Sequence, residues 1–392
     1  MSWPMRDQTA IVGIGETEYT RWGQIQRSEF QLCCEAITKA VDDSGLRMQD
    51  IDGFVTYSVD RNNPMTVAQT LGVKQLKYAS LYPGGGNSTC GVIHHAAMAV
   101  YSGTADAVVC YRSLCQGQFG RFGHGAARTG ATRYGGSNAF TMPFGVLAAV
   151  HRYALQARRH MQEFGTTSEQ LGRISVASYA NAQRNPRAVM YGRPITLEDH
   201  QNSRIIADPY HLYDCCQEND GACAVVVVSA ERAKTLKRKP VYIMGAGHGA
   251  GHRDGGDEHS RPASTWTSSG FVEIARDCYE RAGIGPNDID VAQFYENFTG
   301  QVLMAIEDFG FCKKGEGGPF IADGNIDYPN GSLPINTSGG NLAEAYIHGL
   351  EMVLEGTRQM RGDSTSQVEG AETCLVVAGP AAPPSSALIL RN

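Results

Sequence analysis

Two glycine pairs, each followed by an asparagine, stand where backbone groups could do chemistry. Gly85-Gly86 and Gly339-Gly340 both precede a helical pattern of apolar residues. A helix that opens after such a turn directs free backbone N–H groups and the positive end of its dipole towards the turn, which suits a developing oxyanion. We therefore expect the backbone of Gly340 and Asn341 to hold the oxygen of a carbonyl substrate.

One segment rich in histidine and aspartate suggests a metal site. Its members are His248, His252, Asp254, Asp257 and His259. This spacing matches no zinc motif and no helical ligand pair, so we expect no metal here. We expect the segment to form a loop over the cleft that contains the two glycine turns. The segment from Gly13 follows a predicted strand as a dinucleotide-binding loop would, but Glu18 stands where the third glycine is required. We expect no nicotinamide site either.

The composition excludes several classes of partner. The chain has 392 residues, a formal net charge of −6 and 11 cysteines. A negative chain offers no general attraction to nucleic acid or to an anionic membrane. The longest apolar run, around residues 222–229, is far shorter than the roughly 20 residues that span a bilayer. Because the N-terminal sequence shows no secretory hydrophobic region, we expect a soluble protein of the reducing cytoplasm.

Strand and helix patterns alternate along the chain, which predicts an α/β protein. The predicted strands are residues 9–14, 51–59, 107–111 and 223–228, and the helical patterns between them include residues 30–45 and 92–101. Periodicity disappears from Ser113 and returns as long helical patterns between 146 and about 183. A long insertion of this kind is more often functional than idle.

The chain also contains an internal repeat. Residues 45–52 (GLRMQDID) recur as 283–290 (GIGPNDID) at an offset of 238, and residues 85–87 recur as 339–341 at an offset of 254. Because both matches occur in the same order, duplication is the better explanation. We predict two similar halves with their glycine turns facing one cleft. They are residues 1–235, with an insertion at about 113–200, and residues 240–392.

One segment resembles a known family. Residues 213–222 (YDCCQENDGA) are similar to a motif of the sterol-carrier-type thiolases, and the duplication fits the same superfamily. The resemblance covers nearly the whole chain. It implies a homodimer and the duplicated five-layered α-β-α-β-α fold of the thiolases with an insertion (loop) domain.

The residues that thiolase chemistry requires are absent. A thiolase needs a nucleophilic cysteine at the start of a buried helix, a histidine that activates it and a second cysteine. The place of the nucleophile falls here at Gly86 or Asn87, and the Gly-His-Pro position holds Tyr346. Residues 379–384 (GPAAPP) provide no second cysteine. We expect Cys90, one turn into the helix, to be a packing residue; a thiolase with Cys90 as a shifted nucleophile is the alternative.

The replacements resemble those of the bacterial lipid-transfer-protein-type aldolases that cleave steroid side chains. Tyr295, in the loop 294–298 (FYENF), and Tyr346 match the proposed acid/base pair of that family. We expect Asn297 to position a water or a tyrosine hydroxyl. A helix beginning at 341 would turn His348 about 200° away from Tyr346, so we expect His348 to pack or to make a hydrogen bond. Asn297 and His348 are further candidates, after Gly340 and Asn341, for the oxyanion and substrate-binding site.

The resemblance implies retro-aldol cleavage of a steroid β-hydroxyacyl-CoA, such as a 17-hydroxy steroid C22-CoA, to a 17-ketosteroid and propionyl-CoA in sterol or bile acid degradation. This reaction needs two proton transfers and one oxyanion site. Coenzyme A is implied as part of the substrate, with no separate cofactor. A small OB-fold and zinc-ribbon-type partner is implied in a heterotetramer. A non-catalytic subunit that binds lipid or acyl-CoA is a further alternative.

Overall fold

The computed structural model describes residues 3–121, 135–251, 262–380 and 383–392. Its strands are β1 (Thr9–Glu16), β2 (Thr20–Arg21), β3 (Gly53–Tyr57), β4 (Tyr78–Tyr82), β5 (Ala107–Cys115), β6 (Ile205–Ala207), β7 (Tyr210–His211), β8 (Asn219–Ser229), β9 (Val241–Gly249), β10 (Val291–Phe294), β11 (Thr373–Val377) and β12 (Ser385–Arg391). Its α-helices are α1 (Glu29–Ser44), α2 (Pro64–Thr70), α3 (Thr89–Tyr101), α4 (Gln116–Phe119), α5 (Ala149–Phe164), α6 (Ser168–Ala182), α7 (Leu197–Asn202), α8 (Ala230–Ala233), α9 (Val272–Ala282), α10 (Thr299–Asp308), α11 (Gly317–Ala322), α12 (Gly340–Ala343) and α13 (Leu350–Arg361).

The large sheet has the strand order β10-β11-β12-β9-β1-β8-β5-β3-β4. From β1 outwards, β1 pairs antiparallel with β8, β8 pairs antiparallel with β5, and β5 pairs parallel with β3. From β9 outwards the directions are the same: β9 pairs antiparallel with β12, β12 antiparallel with β11, and β11 parallel with β10. We call the strands from β1 to β4 in this order the N-terminal half-sheet and those from β9 to β10 the C-terminal half-sheet. Their common order is the one that a duplicated unit produces.

Two helices lie between the half-sheets. Helix α3 contacts β3, β5 and β8 on one side and β9 and β12 on the other, and α13 contacts β10 and β11 as well as β1 and β8. Helix α1 packs on the outer face of the N-terminal half-sheet, and α9 packs on the outer face of the C-terminal half-sheet. The predicted α/β class and its five alternating layers are therefore confirmed.

Strand β8 shows why the apolar run at 222–229 is not a membrane segment. Its side chains alternate between the central core, which receives Cys223, Val225 and Val227, and the core beneath α1, which receives Ala222, Ala224, Val226 and Val228. A strand buried on both faces needs apolar residues at every position. None of the helices in the described ranges is long and apolar enough to cross a membrane.

Glycines in β1 let helix α1 approach the sheet. A Cβ at Gly13 would lie 2.1 Å from the carbonyl oxygen of Ala40, and a Cβ at Gly15 would lie 2.3 Å from that of Ala36. These contacts explain the Gly-x-Gly sequence without a dinucleotide. Gly245 and Gly247 of β9 face α9 in the same way, at 2.7 and 2.6 Å from helix carbonyl oxygens. The repeat is thus preserved in packing as well as in strand order.

The predicted insertion and the boundary between the predicted halves can be followed in the structure. The helical patterns from 146 to 183 form α5 and α6, and positions 235 and 240 both lie between α8 and β9. Most of the predicted loop at 248–259 lies outside the described residues, as do residues 122–134 of the insertion. The domain boundaries at 235 and 240 stay a prediction.

Candidate active site

Tyr295 and Tyr346 lie side by side although 51 positions separate them. Tyr295 directly follows β10, and Tyr346 stands between α12 and α13. The Tyr295 hydroxyl donates a hydrogen bond to the Tyr346 hydroxyl at 2.7 Å, and the ring centroids are 5.8 Å apart. Both residues are buried: the exposed fraction of the surface is 4% for Tyr295 and 9% for Tyr346. The structure therefore brings the two predicted acid/base residues into direct contact.

Burial sets the protonation state of this pair. It raises the pKa of both tyrosines well above the ordinary value near 10, and for Tyr295 the neighbouring phenol raises the pKa further. The nearby thiol of Cys216, in the segment that resembles the thiolase motif, also acts to raise both values. Two neutral phenols that share one hydrogen bond are the resting state of the site.

The Tyr295 hydroxyl occupies the space above Gly86. A Cβ at position 86 would lie 2.0 Å from Tyr295 Oη, which is closer than any real contact. Gly86 is also one of the two positions at which a thiolase nucleophile was expected. A phenol hydroxyl now fills the space into which that thiol would project. The turn is held from the other half of the chain, because the N–H of Gly379 donates to the Gly86 carbonyl at 2.9 Å.

His348 packs and makes a hydrogen bond as predicted, but its ring lies beside Tyr346 and is not turned away from it. Helix α12 ends at Ala343 and α13 begins at Leu350, so no continuous helix carries Tyr346 and His348. His348 has a φ of +53°, and its ring stands 5.4 Å from the Tyr346 ring at 87°. The helical angle of about 200° therefore does not apply. A Cβ at Gly85 would lie 3.0 Å from His348 Cε1, so the histidine faces the same glycine turn as Tyr295.

The charged residue behind His348 was missed at the level of sequence. Arg112 of β5 is 1% exposed, and its Nε donates to His348 Nδ1 at 3.1 Å. Its Nη1 donates to Asp60 Oδ2 at 2.8 Å. The signal was available, because an arginine inside the strand AVVCYRSLC interrupts a run that is otherwise apolar or small. A buried arginine needs a carboxylate and acceptors, and such groups collect at functional sites.

The backbone N–H of Asn341, which we expected to bind the oxygen of a carbonyl substrate, bonds to a glutamate in this structure. Its backbone N–H donates to Glu296 Oε2 at 2.7 Å, and its side-chain amide donates to Glu351. Gly340, at a φ of +55°, leaves room for the same carboxyl group, since a Cβ there would lie 2.3 Å from Glu296 Oε1. In this structure the second glycine turn therefore holds Glu296, and the expected oxyanion site at Asn341 is taken. Burial raises the pKa of Glu296 to about 7.

Asn297 and Cys90 both have local structural partners. The side-chain oxygen of Asn297 accepts the N–H of Phe298 at 3.0 Å, and its carbonyl accepts the N–H of Cys216 at 3.0 Å. Cys90 is fully buried, and its thiol donates to the Val376 carbonyl at 3.3 Å. Burial raises the pKa of Cys90 well above its ordinary range, which keeps it a thiol. This is the environment of a packing residue, as expected, and not of an activated nucleophile.

The histidine-rich segment provides no metal site among the residues that the structure describes. His248 contacts His94, with 2.8 Å between the two Nδ1 atoms. The other members, His252, Asp254, Asp257 and His259, lie outside the described residues.

Comparison with known proteins gives a consistent result. A family model described as "Thiolase C-terminal domain-like" matches residues 255–392. The chain is 43% identical over 387 residues to the "Steroid side-chain-cleaving aldolase" of Thermomonospora curvata, with 97% of both chains covered. It is 43% identical over 393 residues to the "17-hydroxy-3-oxo-4-pregnene-20-carboxyl-CoA lyase" of Mycobacterium tuberculosis, with 98% of this chain and 99% of that one covered. A solved "Ltp2-ChsH2(DUF35) aldolase" superimposes with a TM-score of 0.91 at 42% identity, over 99% of this chain and 98% of the other.

Proposed function

This chain belongs to the steroid side-chain-cleaving aldolases of the thiolase superfamily, and we propose that Tyr295 and Tyr346 perform its proton transfers. The reaction is a retro-aldol cleavage that removes the side chain of a steroid β-hydroxyacyl-CoA. The substrate named for the mycobacterial relative supports a 17-hydroxy steroid C22-CoA, which would give a 17-ketosteroid and propionyl-CoA. The hydrogen bond between the two phenols is the observation that carries this assignment.

The bonded pair can pass one proton from the substrate's oxygen to its carbon. Tyr295 accepts the proton of the β-hydroxyl as it gives its own to Tyr346, and Tyr346 gives its proton to the α-carbon of the departing thioester. The Cα–Cβ bond breaks, its electron pair becomes the enolate, and the hydroxyl carbon becomes the ketone. One proton leaves the substrate and one returns, so the enzyme ends in its starting state. The direction of the Tyr295-to-Tyr346 hydrogen bond supports these roles.

A relay through neutral phenols also fits the burial of the pair. A persistent phenolate would be energetically unfavourable in this site, because burial raises the pKa of both tyrosines well above their ordinary value. A relay moves protons along the pair without leaving a charge on either tyrosine. The reaction transfers no electrons to or from the substrate, so its balance calls for no redox cofactor. Coenzyme A would enter as part of the substrate.

The enolate oxygen still requires a hydrogen-bond donor. We assign this role to Nε2–H of His348, because Arg112 already bonds to the other ring nitrogen and the ring faces the Gly85 turn. The N–H of Asn341 could contribute only if Glu296 released it. Asn297 would act indirectly, by holding the backbone next to Cys216.

We also propose a partner subunit. The structural relative is named as a complex with a DUF35 chain, which supports a small OB-fold and zinc-ribbon-type partner here. A homodimer of this chain with two partner chains would form the expected heterotetramer in the cytoplasm. Native mass spectrometry of the co-expressed chains should show a 2:2 particle, and a stable monomer in the presence of the partner would contradict this assembly.

The direct test uses the chain together with its partner. Incubation with a 17-hydroxy steroid C22-CoA should release a 17-ketosteroid and propionyl-CoA in equal amounts, detected by mass spectrometry. Binding of the substrate without any product, under conditions in which the complex is intact, would instead support a non-catalytic subunit. Thiol-dependent release of acetyl-CoA or propionyl-CoA from a 3-ketoacyl-CoA would support a thiolase.

A further inference from the structure

We propose that Arg112 is a positioning residue, which fixes His348 as the neutral tautomer with its proton on Nε2. The inference rests on the proposed function, in which Nε2–H of His348 faces the forming enolate. It adds a buried arginine and a buried aspartate, Asp60, to the residues that the reaction needs. Neither residue reaches the reacting atoms, and both act through the histidine ring.

The tautomer follows from the chemistry of the arginine. A guanidinium group carries only donors and stays protonated at any physiological pH. Arg112 Nε lies 3.1 Å from His348 Nδ1 and donates to it, so Nδ1 must present its lone pair. A neutral imidazole has one protonated nitrogen, and the remaining one is Nε2. Arg112 therefore selects one of the two neutral forms and excludes the other.

The arginine is itself held in one orientation. Its Nη1 donates to Asp60 Oδ2 at 2.8 Å and to the Ser113 carbonyl at 2.6 Å. Asp60 Oδ2 also accepts the backbone N–H of Ser113 at 2.8 Å, which fixes the carboxylate against β5. The side chains of Arg112 and Asp60 are 1% and 0% exposed. A buried ion pair of this geometry acts as a rigid clamp, since neither partner can exchange its bonds for water.

The backbone of His348 is held as firmly as its ring. A φ of +53° is uncommon outside glycine and indicates a conformation that the surroundings impose. The His348 carbonyl accepts the hydroxyl of Thr89 at 2.5 Å, and Thr89 begins helix α3. The histidine is therefore fixed by α3 through its backbone and by β5 through its ring. This double attachment holds the ring against the Gly85 turn, with Cε1 nearest to it.

Burial and nearby positive charge oppose the protonation of His348. Arg112 of β5 and Arg61, which follows β3, bring positive charge, and the rings of Tyr57 and Tyr346 pack against it. Asp60 is engaged by Arg112 and does not bond to the histidine. Burial and the two arginines lower the pKa of His348 well below its ordinary range. His348 thus serves as a hydrogen-bond donor at neutral pH and not as an acid.

The test reads the tautomer directly. In the full complex with ¹⁵N-labelled histidine, two-bond ¹H–¹⁵N spectra should show His348 as a neutral ring with its proton on Nε2 from pH 6 to 8. The His348 signal is identified as the one that is absent from the spectrum of the variant His348→Asn. Asp60→Asn with Arg112→Met removes the ion pair without leaving a buried charge. In that variant the ring should show both tautomers. Its pKa should be higher than in the wild type because the Arg112 charge is gone, while burial and Arg61 still hold it below the ordinary value. Arg61→Met removes a positive charge without a contact to the ring, and it should leave the tautomer unchanged.

Activity gives a second readout. In the Asp60→Asn, Arg112→Met variant, kcat should fall by less than the roughly 10²- to 10³-fold cost of losing an oxyanion donor. KM should change little, and the acid limb of the pH profile should lie at higher pH than in the wild type. A wild-type ring protonated on Nδ1, or a variant with the wild-type tautomer and pH profile, would overturn the proposal. The spectra need no substrate, so they decide on Arg112 even if the tyrosine variants disprove the proposed reaction.

Discussion

The hydroxyl of Tyr295 and a side chain at position 86 exclude each other, because a Cβ on Gly86 would stand 2.0 Å from Tyr295 Oη. Gly86 belongs to the N-terminal half of the duplication and Tyr295 to the C-terminal half. The absence of a side chain at position 86 and the placement of the phenol of Tyr295 are therefore coupled in this site. A thiol at position 86 and a phenol at position 295 cannot share the site.

Gly86→Ala should displace the Tyr295 hydroxyl and reduce product release by about 10²- to 10⁴-fold, the contribution of a positioned acid or base. The fold should persist, since the residue in the way is the tip of a side chain. Steady-state assays with circular dichroism would measure both effects. Gly135→Ala is the matched control, because a Cβ there meets no atom of the described residues within 4 Å. Full activity of Gly86→Ala would show that catalysis does not depend on the observed position of the Tyr295 hydroxyl.

The two tyrosines should behave as one unit. Tyr295→Phe and Tyr346→Phe should each reduce kcat by about 10²- to 10⁴-fold, and the double variant should be hardly worse than either single one, as for groups that act together. A double-mutant cycle on kcat measures this. Independent, additive losses would contradict a relay between the phenols while leaving each a separate catalytic role.

Cys90 should be dispensable for the chemistry. Cys90→Ser should keep kcat within a few-fold of the wild type, and iodoacetamide should not label position 90 in the folded complex, because the thiol is buried and protonated. Peptide mass spectrometry with and without substrate would check the labelling. Loss of cleavage in Cys90→Ser, together with protection of Cys90 by substrate, would revive the thiolase alternative.

Glu296 should make the stability of the protein depend on pH. Burial raises its pKa to about 7, so its folded form holds a proton that the unfolded chain releases near pH 4.3. Its stabilising contribution is fully present below about pH 4 and is lost as the pH rises through 7, a change on the order of 3 kcal/mol. From pH 5 to pH 8 the melting temperature of Glu296→Gln should therefore rise relative to the wild type.

Differential scanning fluorimetry at both pH values would measure that relative shift. Glu369→Gln, at an exposed glutamate, is the control and should show none. A constant difference between Glu296→Gln and wild type at the two pH values would show that Glu296 is ionised throughout.

Much of the fold was predictable because its signals are local or repeated. The apolar run of β8 and the recurrence of 45–52 at 283–290 indicated a doubly buried strand and a duplicated unit. The strand order then followed the repeat. The tyrosine pair was predictable only through the family resemblance, since nothing in the sequence near Tyr295 shows that Tyr346 would lie within a hydrogen bond of it.

The break between α12 and α13 was not predictable, because residues 341–352 (NLAEAYIHGLEM) contain mostly good helix formers. Tertiary contacts decide against the helix. Glu296 takes the N–H of Asn341, Asn219 takes the N–H of Tyr346 at 2.8 Å, and His348 adopts a positive φ. The polar partners come from other parts of the chain, so no local pattern announces them. The predicted angle between Tyr346 and His348 was wrong for the same reason, whereas the expected hydrogen bond of His348 is made with Arg112.

The position of α3 has a consequence for the way the protein is made. This helix is covered on one side by strands of its own half and on the other by β9 and β12, and β12 ends at Arg391. At ordinary rates of translation the ribosome needs about 15 to 60 s to add the residues between α3 and that final strand. Until β12 is added, the part of the apolar face of α3 that β12 covers has no cover from that strand and is open to chaperones. Completion of the core around α3 therefore waits for the synthesis of β12.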